Sequence, residues 1–218
     1  MYRYLLLLLF TGYFGFSQIT EVDSLFREDQ MYASITYNLI NNRPKGFRQY
    51  GFSIGTTVGF LRDIPLSKDR KWAIAPGVGY NYNNLKQNIN FDEVFNIEPI
   101  NPDNTIRSEI VLHYVDFPIE FRWRNATPLS HKFWRIYTGI KPSYLINGKL
   151  KYESSSIGNG TDNLKDVLNK WQYSGYLAVG YNTWNFYACY TFNTVFKQEN
   201  DGSLPIHNFN VGLIFYIL

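Results

Sequence analysis

The chain has 218 residues, one domain's worth, and 18% of them are aromatic, with 18 Tyr and 17 Phe. A formal net charge of only +3, with Lys and Arg scattered, excludes a nucleic-acid-binding surface. A mean hydropathy of -0.27 excludes a bundle of apolar helices, and the single cysteine, Cys189, excludes an intrachain disulfide or a zinc spacing.

Residues 1–17 read as a secretory signal peptide. Arg3 supplies the positive start, residues 5–10 form the apolar core, and Gly15 and Ser17 are small residues before a cut at Gln18. The apolar run is shorter than the roughly 20 residues a membrane-spanning helix needs. Residues 18–30 are polar and acidic and are expected to form a periplasmic lead-in, with a barrel domain over 31–218.

From there the chain alternates apolar and polar side chains, the period of a strand with two different faces. Candidate strands fall at 31–40, 49–61, 71–85, 106–124, 133–152, 171–182, 184–196 and 206–218. In the second, Phe52, Ile54, Val58 and Phe60 share one face, and Gly51, Ser53, Gly55, Thr57 and Gly59 share the other. In the third, Trp72, Ile74, Val78, Tyr80 and Tyr82 alternate with Ala73, Ala75, Gly77, Gly79, Asn81 and Asn83. The fourth is the clearest. Val111, His113, Val115, Phe117, Ile119, Phe121 and Trp123 oppose Leu112, Tyr114, Asp116, Pro118, Glu120 and Arg122. The fifth sets Trp134, Ile136, Thr138, Ile140, Tyr144 and Ile146 against Arg135, Tyr137, Gly139, Lys141, Ser143 and Asn147. The last sets Phe209, Val211, Leu213, Phe215 and Ile217 against Asn208, Asn210 and Gly212.

One such strand could belong to a soluble sheet. Eight would require a soluble protein to hide far more aromatic surface than a core holds. The inverted solution is an all-β, eight-stranded antiparallel transmembrane β-barrel of the outer-membrane type, apolar face outward and polar face inward. Faces of glycine and asparagine suit a narrow lumen better than a solvent face, which argues against a soluble lipocalin-like barrel. The links at 86–105 and 153–170 are long and fall on one side; those at 62–71, 125–132 and near Thr183 are shorter. That asymmetry, with an even strand number, places both termini in the periplasm. Trp72, Trp123, Trp134, Trp171 and Trp184 lie near strand ends, where aromatic girdles form.

The inward phase carries Asp116, Glu120 and Arg122 on the fourth strand and Arg135 and Lys141 on the fifth. Opposite charges on neighbouring strands are expected to form a structural ion-pair network inside the barrel, since buried charges need partners. A ligand or proton site is the functional alternative. His113 and His207 point outward, and His131 lies in a turn. No serine accompanies them in a recognisable motif, and no metal, phosphate-loop or cofactor motif is present, so no enzyme activity and no cofactor are expected. Cys189 falls on the inward phase as a small buried residue.

The runs TYNLINNRP, FSIGTTVGFLRDIPLSKDRKWAIAPGVGYNYN, YVDFPIEFRWRNATP and KFWRIYTGIKPSYL resemble the PorT/SprT family of Bacteroidetes outer-membrane barrels. The resemblance runs from about Met31 to Ala188. It implies a non-enzymatic outer-membrane component of type IX protein secretion, with gliding motility as a further role. The implied partners are outer-membrane lipid, other type IX components and the outer-membrane assembly machinery. The alternative is a small structural or ligand-binding adhesion barrel, and a third reading is a lipid-modifying barrel enzyme.

Overall fold

The computed structural model describes residues 30–42, 49–87, 89–91, 97–99, 107–125, 133–154, 158–197 and 206–217. The expected signal peptide, the lead-in up to residue 29, and His131 lie outside these residues.

Eight long strands form the wall: β1 (Gln30–Asn41), β2 (Ile54–Leu61), β3 (Trp72–Gln87), β4 (Arg107–Asp116 continued by Ile119–Arg124), β5 (Trp134–Ser154), β6 (Trp171–Tyr181), β7 (Trp184–Thr191) and β8 (His207–Ile217). Each pairs antiparallel with the next in sequence. β8 returns to β1 in a register running from Met31↔Ile217 to Asn41↔His207. The ring is therefore closed and has no free edge in its wall.

Burial alternates along the wall as the pattern of side chains requires. On β1, Tyr32, Ser34, Thr36 and Asn38 point inward, while Met31 and Ile35 are exposed. On β4 and β5, Phe117, Ile119, Phe121, Ile136, Ile140 and Ile146 are exposed, and Asp116, Glu120, Arg122, Tyr137 and Lys141 are buried. Such a continuous apolar exterior suits hydrocarbon and not water. Aromatic rings edge it at two levels. Trp72 stacks with Phe121 and meets Trp123, and Trp134 packs on Tyr181. Further along, Trp171 packs on Phe117, Tyr144 and Tyr173. Trp134 and Tyr144 lie ten residues apart on β5, which at strand rise and barrel tilt separates the two levels by about 25 Å, the height of a barrel's apolar band.

The short links gather at one end, hereafter the turn end, with the start of β1 and the close of β8. The link between β6 and β7 is two residues long, and Asn182 takes the left-handed conformation (φ 57°) that asparagine tolerates. The other four links gather at the opposite, long-link end.

Three expectations need correction. Asn147 does not point inward. The β4–β5 register skips Ile146 between the pairs Tyr114↔Leu145 and His113↔Asn147, and this bulge moves Gly148 and Leu150 to the inside instead. β2 starts at Ile54, and Gly51 before it adopts φ 64° outside the ladder. β7 stops at Thr191, because Asn193 replaces the ladder with its side chain, accepting from the Tyr173 amide and donating to the Trp171 carbonyl. The two longest links carry short strands of their own. Ile89–Phe91 pairs with Ile97–Pro99, and Gly158–Asn163 pairs with the far end of β5.

Candidate functional site in the barrel lumen

Small residues make room where opposite walls approach. A Cβ at Gly79 would overlap the Tyr32 hydroxyl, and one at Gly55 would overlap Thr36 and Asn38 side chains. The space left over is filled in three layers.

At the turn end lies an ionic layer. Arg122 donates from Nε to Glu120 at 2.8 Å and from Nη1 to Asp63 at 2.9 Å. Arg124 donates to both oxygens of the same Asp63, at 3.2 and 3.0 Å. The Tyr216 hydroxyl donates to Glu120 at 2.8 Å. Glu120, Arg122, Arg124 and Asp63 are all essentially fully buried. The phase explains three of them, since 120, 122 and 124 are successive inward positions of one strand. Asp63 comes from the link after β2. Arg122 also lies over Tyr137, 5.0 Å from its centroid.

The middle layer joins tyrosines to an amide relay. Lys141 Nζ lies 3.2 Å from Asp116. Asn81 donates to Asp116 at 2.9 Å, Asn83 donates to Asn81 at 2.8 Å, and Asn38 and Asn210 both donate to Asn83, at 3.1 and 3.2 Å. Tyr32, Tyr176, Tyr187 and the buried thiol of Cys189 pack around it.

At the long-link end the interior turns apolar. Ile40, Leu85, Ile110, Leu112, Leu145 and Leu150 from the wall close on Leu164, Leu168, Val195, Phe196 and Ile206 from the links. Backbone bonds fix this plug: the Leu164 amide donates to Gly148 and the Val195 amide to Ile206. Two small cavities lie between these layers. One of about 30 Å³ lies between the asparagines, Lys141 and the plug; the other, of about 20 Å³, lies beside Tyr32 and Tyr176. Each holds only one or two waters.

The five charged residues expected inside are therefore all in the lumen, but not in one network. Asp116 pairs with Lys141, and Glu120 pairs with Arg122 on its own strand. Arg135 joins neither pair. Its neighbour across the ladder is Arg124, which pairs with Asp63. Sequence reasoning placed Asn81, Asn83 and Asn210 on the inward face but missed that they form a relay, and it missed Asp63, Arg124, Asn38 and Tyr216. Arg124 shares the phase of Arg122, and Asn38 is inward by the same count, so parity alone could have found both. Asp63 sits in a link, where parity gives no direction.

On the outer face, Tyr80 Oη and His113 Nδ1 lie 2.6 Å apart, and the His207 ring stacks on Tyr190. In the link before β2, burial pushes the Tyr50 hydroxyl, which donates to the Ser108 carbonyl, up to about 12.

Residues 9–197 match the family described as outer membrane protein beta-barrel domain. Among solved structures, the attachment invasion locus protein Ail of Yersinia pestis, in complex with the heparin analogue sucrose octasulfate, is similar at 15% identity and a TM-score of 0.40. That likeness covers 86% of this chain and 99% of Ail. A second structure of Ail shares 13% identity with a TM-score of 0.36 over the same shares. No curated protein matches the chain.

Proposed function

We propose that this chain, which belongs to the outer membrane protein beta-barrel domain family, is a non-conducting, non-enzymatic barrel that serves type IX protein secretion through protein–protein contacts. The observation that carries the first half is the filled lumen. Among the described residues, an apolar plug at one end, a relay of amides in the middle and an ionic layer at the other fill it, and the cavities between the layers are water-sized. A lumen filled in this way supports work by the links and the outer surface rather than by a pore. The sequence resemblance to the PorT/SprT family supports the second half, with gliding motility as a further role. The barrel then anchors the links in the outer membrane, both termini on the periplasmic side, where other secretion components reach them.

The test is a deletion in the host, with complementation, and an assay of the medium for type IX cargo. Loss of cargo while other outer-membrane proteins assemble normally supports the role. Unchanged export sinks it.

One observation favours a second reading, an adhesion or surface-binding barrel. β5 runs past the plug as a hairpin with Gly158–Asn163, whose residues 159 and 161–163 are exposed. A partner bound there, with export unaffected by deletion, would establish that reading.

A further inference from the structure

The cations of the wall are not spread around the ring. The strands β1, β2, β6, β7 and β8 contain no Lys or Arg. On β3, β4 and β5, those that point away from the lumen are Lys86, Arg107, Lys149 and Lys151. All four lie at the long-link end and on neighbouring strands. Glu109 pairs with Lys86 on one side and Lys151 on the other, Arg107 pairs with Glu153, and Val111 pairs with Lys149. The ladder also gives their heights. Tyr144, in the upper aromatic level, pairs with Val115. Counted from Val115 along β4 at about 2.5 Å per residue, Lys149 stands about 10 Å beyond that level, Lys86 and Lys151 about 15 Å, and Arg107 about 20 Å.

We propose that the outer face of β3, β4 and β5 at the long-link end docks a phosphorylated glycolipid, a membrane lipid whose headgroup carries phosphate at more than one height. Charge selects the phosphate. Among the described residues of this face, four cations meet two carboxylates, and one of those, Glu109, accepts from Asn84. The described link residues 158–170 at the same end are balanced, Lys165 and Lys170 against Asp162 and Asp166. The surplus therefore belongs to the wall, beside which lipid headgroups stand, and basic groups there attract anionic headgroups. Height selects the glycolipid. A phospholipid headgroup layer is about 5–7 Å deep, and only Lys149 reaches back to it by the length of its stem. Sugars bearing phosphate span the remaining steps up to Arg107. Polar side chains carry the same face down to the aromatic level: Asn147 pairs with His113, whose Nδ1 lies 2.6 Å from Tyr80 Oη. These groups suit the esters and hydroxyls at the base of such a headgroup. An acidic protein partner is a poorer match, because it would have to reach down the lipid side of the wall.

The test uses the full mature chain folded in bicelles of zwitterionic phospholipid, with folding of every variant confirmed by heat-modifiable migration in SDS gels. The probe is dansyl-labelled lipopolysaccharide with phosphorylated core sugars, and binding is read as energy transfer from the barrel's tryptophans. Lys149→Gln with Lys151→Gln is expected to weaken binding about twentyfold, at roughly fivefold per lysine. Lys149→Arg with Lys151→Arg, which keeps the charge, is expected to bind like wild type. Lys68→Gln with Lys71→Gln removes the same charge from the link at the turn end and is expected to change binding less than about twofold. Labelled phosphatidylglycerol, with its single low phosphate, is expected to bind about tenfold more weakly than the glycolipid. No loss in the Lys149 and Lys151 pair, or an equal loss in the Lys68 and Lys71 pair, overturns the proposal. Phosphatidylglycerol binding as tightly as the glycolipid overturns the choice of lipid, and full displacement by millimolar inorganic phosphate assigns the face to a soluble anion instead.

Discussion

The two ends of the lumen are closed by opposite chemistry. At the turn end, Arg122 and Arg124 share Asp63, and Arg122 also holds Glu120, with no measurable exposure. At the long-link end, Leu164, Leu168, Val195 and Phe196 seal the mouth with apolar side chains. The apolar plug gains from the removal of surface from water and accepts rearrangement, since dispersion and hydrophobic contacts have no direction. The ionic layer has already lost the hydration of four charges and regains it only in one geometry. The same task of filling a narrow barrel is therefore done once with tolerance and once with specificity. The tolerant end joins wall residues to links that fold back into the mouth; the specific end is built mainly from consecutive inward residues of β4.

That contrast can be broken by substitution. The largest effect is expected from Arg122→Met, which strands Glu120: about 3–5 kcal/mol lost in urea unfolding of the detergent-folded protein. A loss below about 1 kcal/mol would put the ionic end on the same footing as the plug. Leu168→Ala, which empties part of the plug, is expected to cost about 3 kcal/mol, while Leu168→Met stays below about 1.5 kcal/mol. If the methionine variant fell as far as the alanine one, the plug would be as exacting as the ionic layer.

The outer face gives a smaller, depth-dependent effect. Ile140→Arg, between the two aromatic levels, is expected to cost about 2–4 kcal/mol, and Trp72→Arg, at the turn-end level, about 0–1 kcal/mol. Equal costs at both positions in lipid vesicles would contradict a lipid-facing band. Replacing the middle pair as a unit, Lys141→Met with Asp116→Asn, is expected to stay within about 1 kcal/mol of wild type, because the amide still accepts from Asn81. Lys141→Met alone should be clearly worse, and a double-mutant cycle measures the difference.

The smallest effect concerns the link after β2. Hydrogen bonds from Ser67 and the Lys71 amide hold the Asp69 carboxyl below the usual carboxylate range. A lowered folded pKa adds stability above the unfolded value and loses it as pH falls through the folded one. Asp69 is fully exposed, so Asp69→Asn is expected to leave the urea midpoint at neutral pH nearly unchanged and to flatten its slope on acidification. A steeper slope in the variant would reverse that sign.

Much of this was legible in the sequence because a strand reports its two faces by a period of two. The run from Val111 to Trp123 alone separates the lipid face from the lumen face. The even strand count, the short and long links, the girdle tryptophans and the inward phase of Asp116, Glu120, Arg122, Arg135 and Lys141 all follow from the same count. Periodicity is a one-dimensional signal, however, and it fails where the chain leaves the ladder or slips within it. The bulge at Ile146 redirected Asn147, and no local residue type announces it. Pairing is the second thing parity does not contain. It placed five charges inside, but only the closed ring brought Lys141 to Asp116, carried Asp63 from a link to Arg122 and Arg124, and set Arg135 against the rings of Phe133, Tyr137 and Tyr216. The sequence by itself determined which way each side chain points, since that is fixed by backbone geometry. The tertiary structure decided which side chains meet, since that depends on strand register around the barrel and on links folding back into its mouth.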